Sequence, residues 1–140
     1  LVRPIETLSQ NLFICAGHAA QIGAVAALSS EGEAEAASHL QEYATNRAAV
    51  MATLEELGFT EIAPCDGAFY VYAGIGTLAP DSRAFCQGLL RSEAVATTPG
   101  LDFDPVRGDG TVRFSFAQSP ERIAEGMRRL RRYVEAGCPI

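Results

Sequence analysis

The run Val112-Arg113-Phe114-Ser115-Phe116-Ala117 alternates at every step, with Val112, Phe114 and Phe116 on one side of an extended chain and Arg113 and Ser115 on the other. A period of two marks a strand with one buried and one open face. Downstream, Ser119-Pro120 reads as an N-cap followed by proline at the first helical position. Ile123, Met127, Leu130 and Val134 give that helix an apolar stripe, which Gly137 and Pro139 end. Upstream, a polar loop containing Asp102, Asp104, Arg107 and Gly108 separates the run from residues 94–98, a strand expected to stop at Pro99-Gly100. Asp81 is placed to cap a helix carrying Phe85, Leu89 and Leu90. Residues 68–73 (AFYVYA) predict a strand buried on both faces, and residues 60–63 a short edge strand.

Further towards the N-terminus, Ser30-Glu31-Gly32-Glu33 fits a capping box. The long helix it opens carries a stripe through Ala37, Leu40, Ala44, Ala48, Met51, Leu54 and Leu57 until Gly58 closes it. From residue 30 onward the order is helix, short strand, strand, helix, strand, strand, helix. That order predicts an α/β fold: a small, largely antiparallel sheet with helices packed on it. Residues 1–15 predict a helix and residues 19–28 a second one, apolar on nearly all sides, which needs neighbours to cover it. Residues 1–29 therefore read as the end of a larger domain and 30–140 as a C-terminal smaller one, with the chain expected to be a fragment of a longer protein.

Composition narrows the chemistry. The 140 residues carry a net charge of −6, and 48% are hydrophobic. No apolar run approaches the roughly 18 residues of a membrane span. An acidic chain lacks the basic field that nucleic acid requires. All 11 basic residues are arginines, so no lysine amine is present. Cys15, Cys65, Cys86 and Cys138 show no paired spacing, and His18 and His39 do not complete a metal set with them. Free thiols and a cytoplasmic setting are expected.

Arg113 is the leading site candidate. A guanidinium on a rigid strand can grip a carboxylate through two parallel hydrogen bonds. Spacing alone favours a wet strand face with a surface arginine, because strand alternation normally leaves one face in water. Gly67-Ala68-Phe69-Tyr70 and Thr98-Pro99-Gly100 can shape pocket walls or serve as plain turns, while Tyr70 and Tyr72 can offer hydroxyls to a ligand but, as strand aromatics, read first as core. The basic cluster Arg128, Arg129, Arg131 and Arg132 reads as the solvated end of the last helix.

Taken in order, several segments resemble the class I/II (fold type I) pyridoxal-phosphate-dependent aminotransferases downstream of their catalytic lysine. They are Leu1-Val-Arg-Pro-Ile5 with Gln10-Asn11-Leu12, Gln21 before Ala26-Ala27-Leu28, Tyr43-x-x-x-Arg47, Leu54-x-x-x-Gly58 and Pro64-x-x-Gly67-Ala-Phe69-Tyr70, followed by Val95-Ala96-x-Thr98-Pro99-Gly100 and the 112–117 run. Ala94 departs from the pattern, which usually has glycine there.

The resemblance implies that Arg113 binds the substrate α-carboxylate and that Phe69 lies near the active-site entrance. It implies transfer of an amino group between an amino acid and a 2-oxo acid in a homodimer. Pyridoxal 5'-phosphate would serve the full-length enzyme without being bound covalently by this chain. The catalytic lysine and most cofactor contacts would lie upstream, leaving no catalytic residue here and the chain inactive alone. The residues by themselves leave open a free-standing ligand-binding or dimerisation domain without enzyme activity.

Overall fold

The computed structural model describes residues 1–139, which divide into two compact units, Leu1–Leu40 and Gln41 onward. The first unit contains α1 (Val2–Leu8), a π-helical turn (Ser9–Phe13), α2 (His18–Ala27) and the beginning of α3 (Ser30–Glu56). The single helix expected over 1–15 is thus shorter and ends in a wider turn, closed at Ile14 by a left-handed backbone (φ 68°). The cap of α3 sits one residue earlier than Ser30. The Ser29 hydroxyl accepts from the Gly32 amide at 3.2 Å, and the Ser29 carbonyl accepts from the Glu33 amide. Gly32 lies so close to the carbonyls of Ala26 and Ala27 that a Cβ there would collide.

The second unit is built on a three-stranded antiparallel sheet. Its strands are β1 (Tyr70–Gly74), β2 (Thr98–Pro99) and β3 (Thr111–Ser115), in the spatial order β1-β3-β2. The expected strand at 94–98 shrinks to two paired residues. The one at 60–63 reduces to a single bridge, Thr60 with Gly74, and an Ala63 amide bond to the Tyr72 carbonyl. Helices α4 (Ser82–Glu93) and α5 (Pro120–Glu135) complete the unit. Both are capped as their sequences require: Asp81 Oδ1 accepts from the Ala84 amide at 2.7 Å, and Ser119 accepts from Arg122.

Val71, Ala73, Val112 and Phe114 point inward from the sheet and meet Val50 and Leu54 of α3, Phe85 and Leu89 of α4, and Leu130 and Tyr133 of α5 in one core. Phe59 stands edge-on to both Phe85 and Phe114. The buried line of α3 runs through Asn46, Val50 and Leu54, while Ala44 and Ala48 of the expected stripe face outward. The reason lies far along the chain: Asn46 donates its amide to the carbonyls of Phe116 and Gln118, at 3.1 and 2.7 Å, and that tie sets the helix rotation. β1 is not buried on both faces. Tyr70 is exposed and Tyr72 half-buried, because the helices cover only one side of the sheet.

The four cysteines are free thiols, Cys15 exposed and the other three buried. The arginines clustered near the end of α5 lie on its solvated side and also pair with carboxylates: Arg128 and Arg129 with Glu125, Arg131 with Glu56 and Arg132 with Glu93. No helix among the described residues is long and apolar enough to cross a membrane.

Candidate functional site

The uncovered sheet face collects Tyr70, Tyr72, Thr98, Thr111, Arg113 and Ser115. Arg113 lies on the central strand, opposite Tyr72 of β1 on one side and Thr98 of β2 on the other. Its Nη2 donates to Thr98 Oγ1 at 3.3 Å. Its Cζ stands 4.7 Å from the Phe103 ring centroid and 5.1 Å from that of Tyr70, the geometry of a cation held against aromatic faces. Its Nε is buried and has no hydrogen-bond partner among the described residues. None of the described carboxylates lies within ion-pair distance of it. A half-buried guanidinium with aromatic neighbours, one weak internal bond and no counter-ion has most of its donor capacity free.

Phe103 reaches this face on the 100–110 loop, which its own chemistry holds rigid. Asp104 Oδ1 accepts from the amides of Val106 and Arg107 at 2.9 and 3.1 Å, and Oδ2 from Arg107 Nε at 3.1 Å. Those bonds, the backbone ones foremost, hold the Asp104 carboxyl below its ordinary range. Gly100 and Gly108 cross in contact, and a Cβ on either would strike the other's backbone. The Tyr72 hydroxyl donates to the Gly100 carbonyl at 3.2 Å and receives a bond from Thr111 Oγ1 at 3.0 Å. Ser82, fully buried at the start of α4, donates to the Gly108 carbonyl.

Phe69 sits at the edge of this arrangement. It is 48% exposed and packs edge-on against Tyr70, at 5.8 Å between centroids, and its carbonyl extends the ladder by accepting from the Phe116 amide. The structure thus brings Arg113 together with Thr98, Tyr70 and Phe103. Phe69 joins at its edge, through the Tyr70 ring and the Ser115 hydroxyl, which donates to the Phe69 carbonyl at 3.5 Å. Tyr70, expected in the core, stands on the open face, and the sequence signals Phe103 only as the aromatic residue of the 100–110 loop. Among the described residues no group of three metal-ligating side chains assembles.

The model of the family described as aminotransferase class I and II matches residues 5–130. The chain belongs to the class I and II aminotransferases. It is 44% identical over 130 residues to a valine–pyruvate aminotransferase of Mycobacterium tuberculosis, covering 93% of this chain and 34% of that protein. It is 35% identical over 134 residues to a (5-formylfuran-3-yl)methyl phosphate transaminase of Methanocaldococcus jannaschii, covering 96% and 35%. The crystal structure of an aminotransferase from Mycobacterium tuberculosis superposes with a TM-score of 0.89 at 42% identity, over 96% of this chain and 35% of that one. This aminotransferase chain spans about a third of the length of the curated relatives it matches. Its sheet and helices are those of fold type I.

Proposed function

We propose that this chain is the part of a pyridoxal-phosphate-dependent aminotransferase that receives the α-carboxylate of the substrates, and that Arg113 is the receiving group. The observation carrying the reading is the unpaired guanidinium of Arg113, fixed on the central strand between Tyr72 and Thr98. Amino acid and 2-oxo acid share the same carboxylate, so one arginine serves both directions of amino-group transfer. A planar fork fixes both the position and the orientation of a carboxylate. Orientation at that end of the substrate sets which bond at Cα faces the reacting group, the contribution that proximity makes to catalysis.

The residues present cannot hold the cofactor covalently. An aldehyde cofactor is held covalently by a primary amine side chain, and all 11 basic residues here are arginines. The unpartnered donor of this face, Arg113 Nε, forms no imine. The chain is therefore proposed to be inactive alone and to work within a longer, homodimeric enzyme.

Arg113→Ala, made in the full-length enzyme, tests the reading. Losing a paired charge of this kind costs about 3 kcal/mol, on the order of 100-fold in kcat/KM toward amino acids. Bound cofactor, read from its visible absorbance, should stay at the wild-type level. Arg113→Lys should recover only part of the loss, since an ammonium lacks the planar fork. Wild-type efficiency in Arg113→Ala would exclude the assignment.

A further inference from the structure

Phe103 has no place in the core. It is 52% exposed and lies outside the buried cluster, yet the loop that carries it is tied by side-chain and backbone hydrogen bonds along its length. The Gly100–Gly108 crossing, the Asp104 turn and the Tyr72–Thr111 hydroxyl pair all converge on the loop that presents this one ring. The ring stands edge-on to Tyr72 at 6.3 Å and over the Arg113 guanidinium at 4.7 Å. Arg113 needs such a support. Its side chain is long and rotamer-rich, and its internal hydrogen bond to Thr98 is at the long end of the range.

We propose that Phe103 is a positioning residue for carboxylate binding: its ring face fixes the Arg113 guanidinium and excludes water from one side of it, so that an incoming carboxylate meets a pre-oriented, partly desolvated fork. The proposal rests on the reading of Arg113 as the carboxylate anchor. Removing the ring leaves the charge in place and lets it rotate into solvent, which weakens binding without removing the chemistry. Cation–π contacts at half-exposed sites are worth roughly five- to thirty-fold in affinity.

The test uses the full-length, cofactor-loaded enzyme and butanoate, an unreactive monocarboxylate, as the probe in isothermal titration calorimetry. Phe103→Leu keeps the apolar bulk and removes the π face; Phe103→Tyr keeps both. Phe103→Leu should raise the butanoate Kd about five- to thirty-fold. It should also raise KM for an amino acid substrate more than it lowers kcat. Phe103→Tyr should stay within about twofold of wild type. Wild-type affinity in Phe103→Leu overturns the proposal. So does a loss in Phe103→Leu that Phe103→Tyr shares together with a lowered melting temperature, because the ring would then be structural. Arg113→Ala separates the two ideas: if it binds butanoate as tightly as wild type, the anchor reading itself fails, whereas weak binding there with normal binding in Phe103→Leu removes only Phe103.

Discussion

Asn46 shows how one buried polar residue aligns two elements. It is 2% exposed on α3, and its amide satisfies two carbonyls just beyond β3, those of Phe116 and Gln118. Removing the amide leaves both carbonyls without that donor, the one of Phe116 in buried surroundings and the one of Gln118 partly so. Asn46→Ala should therefore destabilise the second unit by about 1–3 kcal/mol, read as a lower urea midpoint with unchanged slope. Asn46→Asp should be worse at neutral pH than at pH 4, since an ionised carboxylate would face two acceptors. The buried thiols make the opposite kind of residue. Burial pushes Cys86 and Cys138 above the ordinary thiol range, so both are protonated at neutral pH and should resist alkylation until the unit unfolds. Neither property was visible in the sequence, because both depend on how α3, α4 and the segment after α5 pack into the core.

At the scale of elements, what the sequence made legible was what local chemistry decides. The alternation of 112–117 places Val112 and Phe114 in the core and Arg113 on the open face, and Asp81 and Ser119 cap the helices they precede. What it concealed was what contacts over long range decide: the rotation of α3 set by Asn46, the open side of β1, and the approach of Phe103 to Arg113 across a loop of ten residues. Ala94 lies between these cases. Where the family pattern favours glycine, Ala94 closes α4 in the left-handed region at φ 54°. That conformation strains a residue with a Cβ, so Ala94→Gly should raise stability by about 0.5–1 kcal/mol despite the greater freedom of glycine when unfolded. A thermal melt of the two forms decides it. The Asp104 turn gives a pH-dependent counterpart. Its carboxyl, ordinarily near 3.8, is held lower by the Val106 and Arg107 amides and then the Arg107 side chain. A depressed carboxylate contributes stability that is present above its ordinary pKa and is lost as the pH falls through the folded value. The difference in urea midpoint between wild type and Asp104→Asn should therefore be present at neutral pH and close as the pH falls below about 4.

Across the whole molecule the two units differ in what holds them. From Gln41 onward a continuous apolar core joins three helices to a sheet, whereas none of the residues in Leu1–Leu40 is buried. Ile5, Leu8, Leu12, Ile22, Val25 and Leu28 all stand more than half exposed on its helices. Short helices in water draw most of their stability from packing an apolar face, and this unit provides no such packing within itself. An apolar surface of that extent associates with whatever apolar surface is available. The 140-residue chain should therefore enhance the fluorescence of a hydrophobic dye and self-associate at micromolar concentration in size-exclusion chromatography. A chain beginning at Gln41 retains the core and should remain monomeric, bind little dye and unfold cooperatively. A monomeric, dye-silent 140-residue chain would mean that residues 1–40 find cover within the chain, and the account of a unit built to pack against further protein would fall. If instead the shorter chain also associates, the attraction lies on the open sheet face around Phe69, Tyr70 and Phe103, and adding butanoate should then dissolve the association by occupying Arg113 between them.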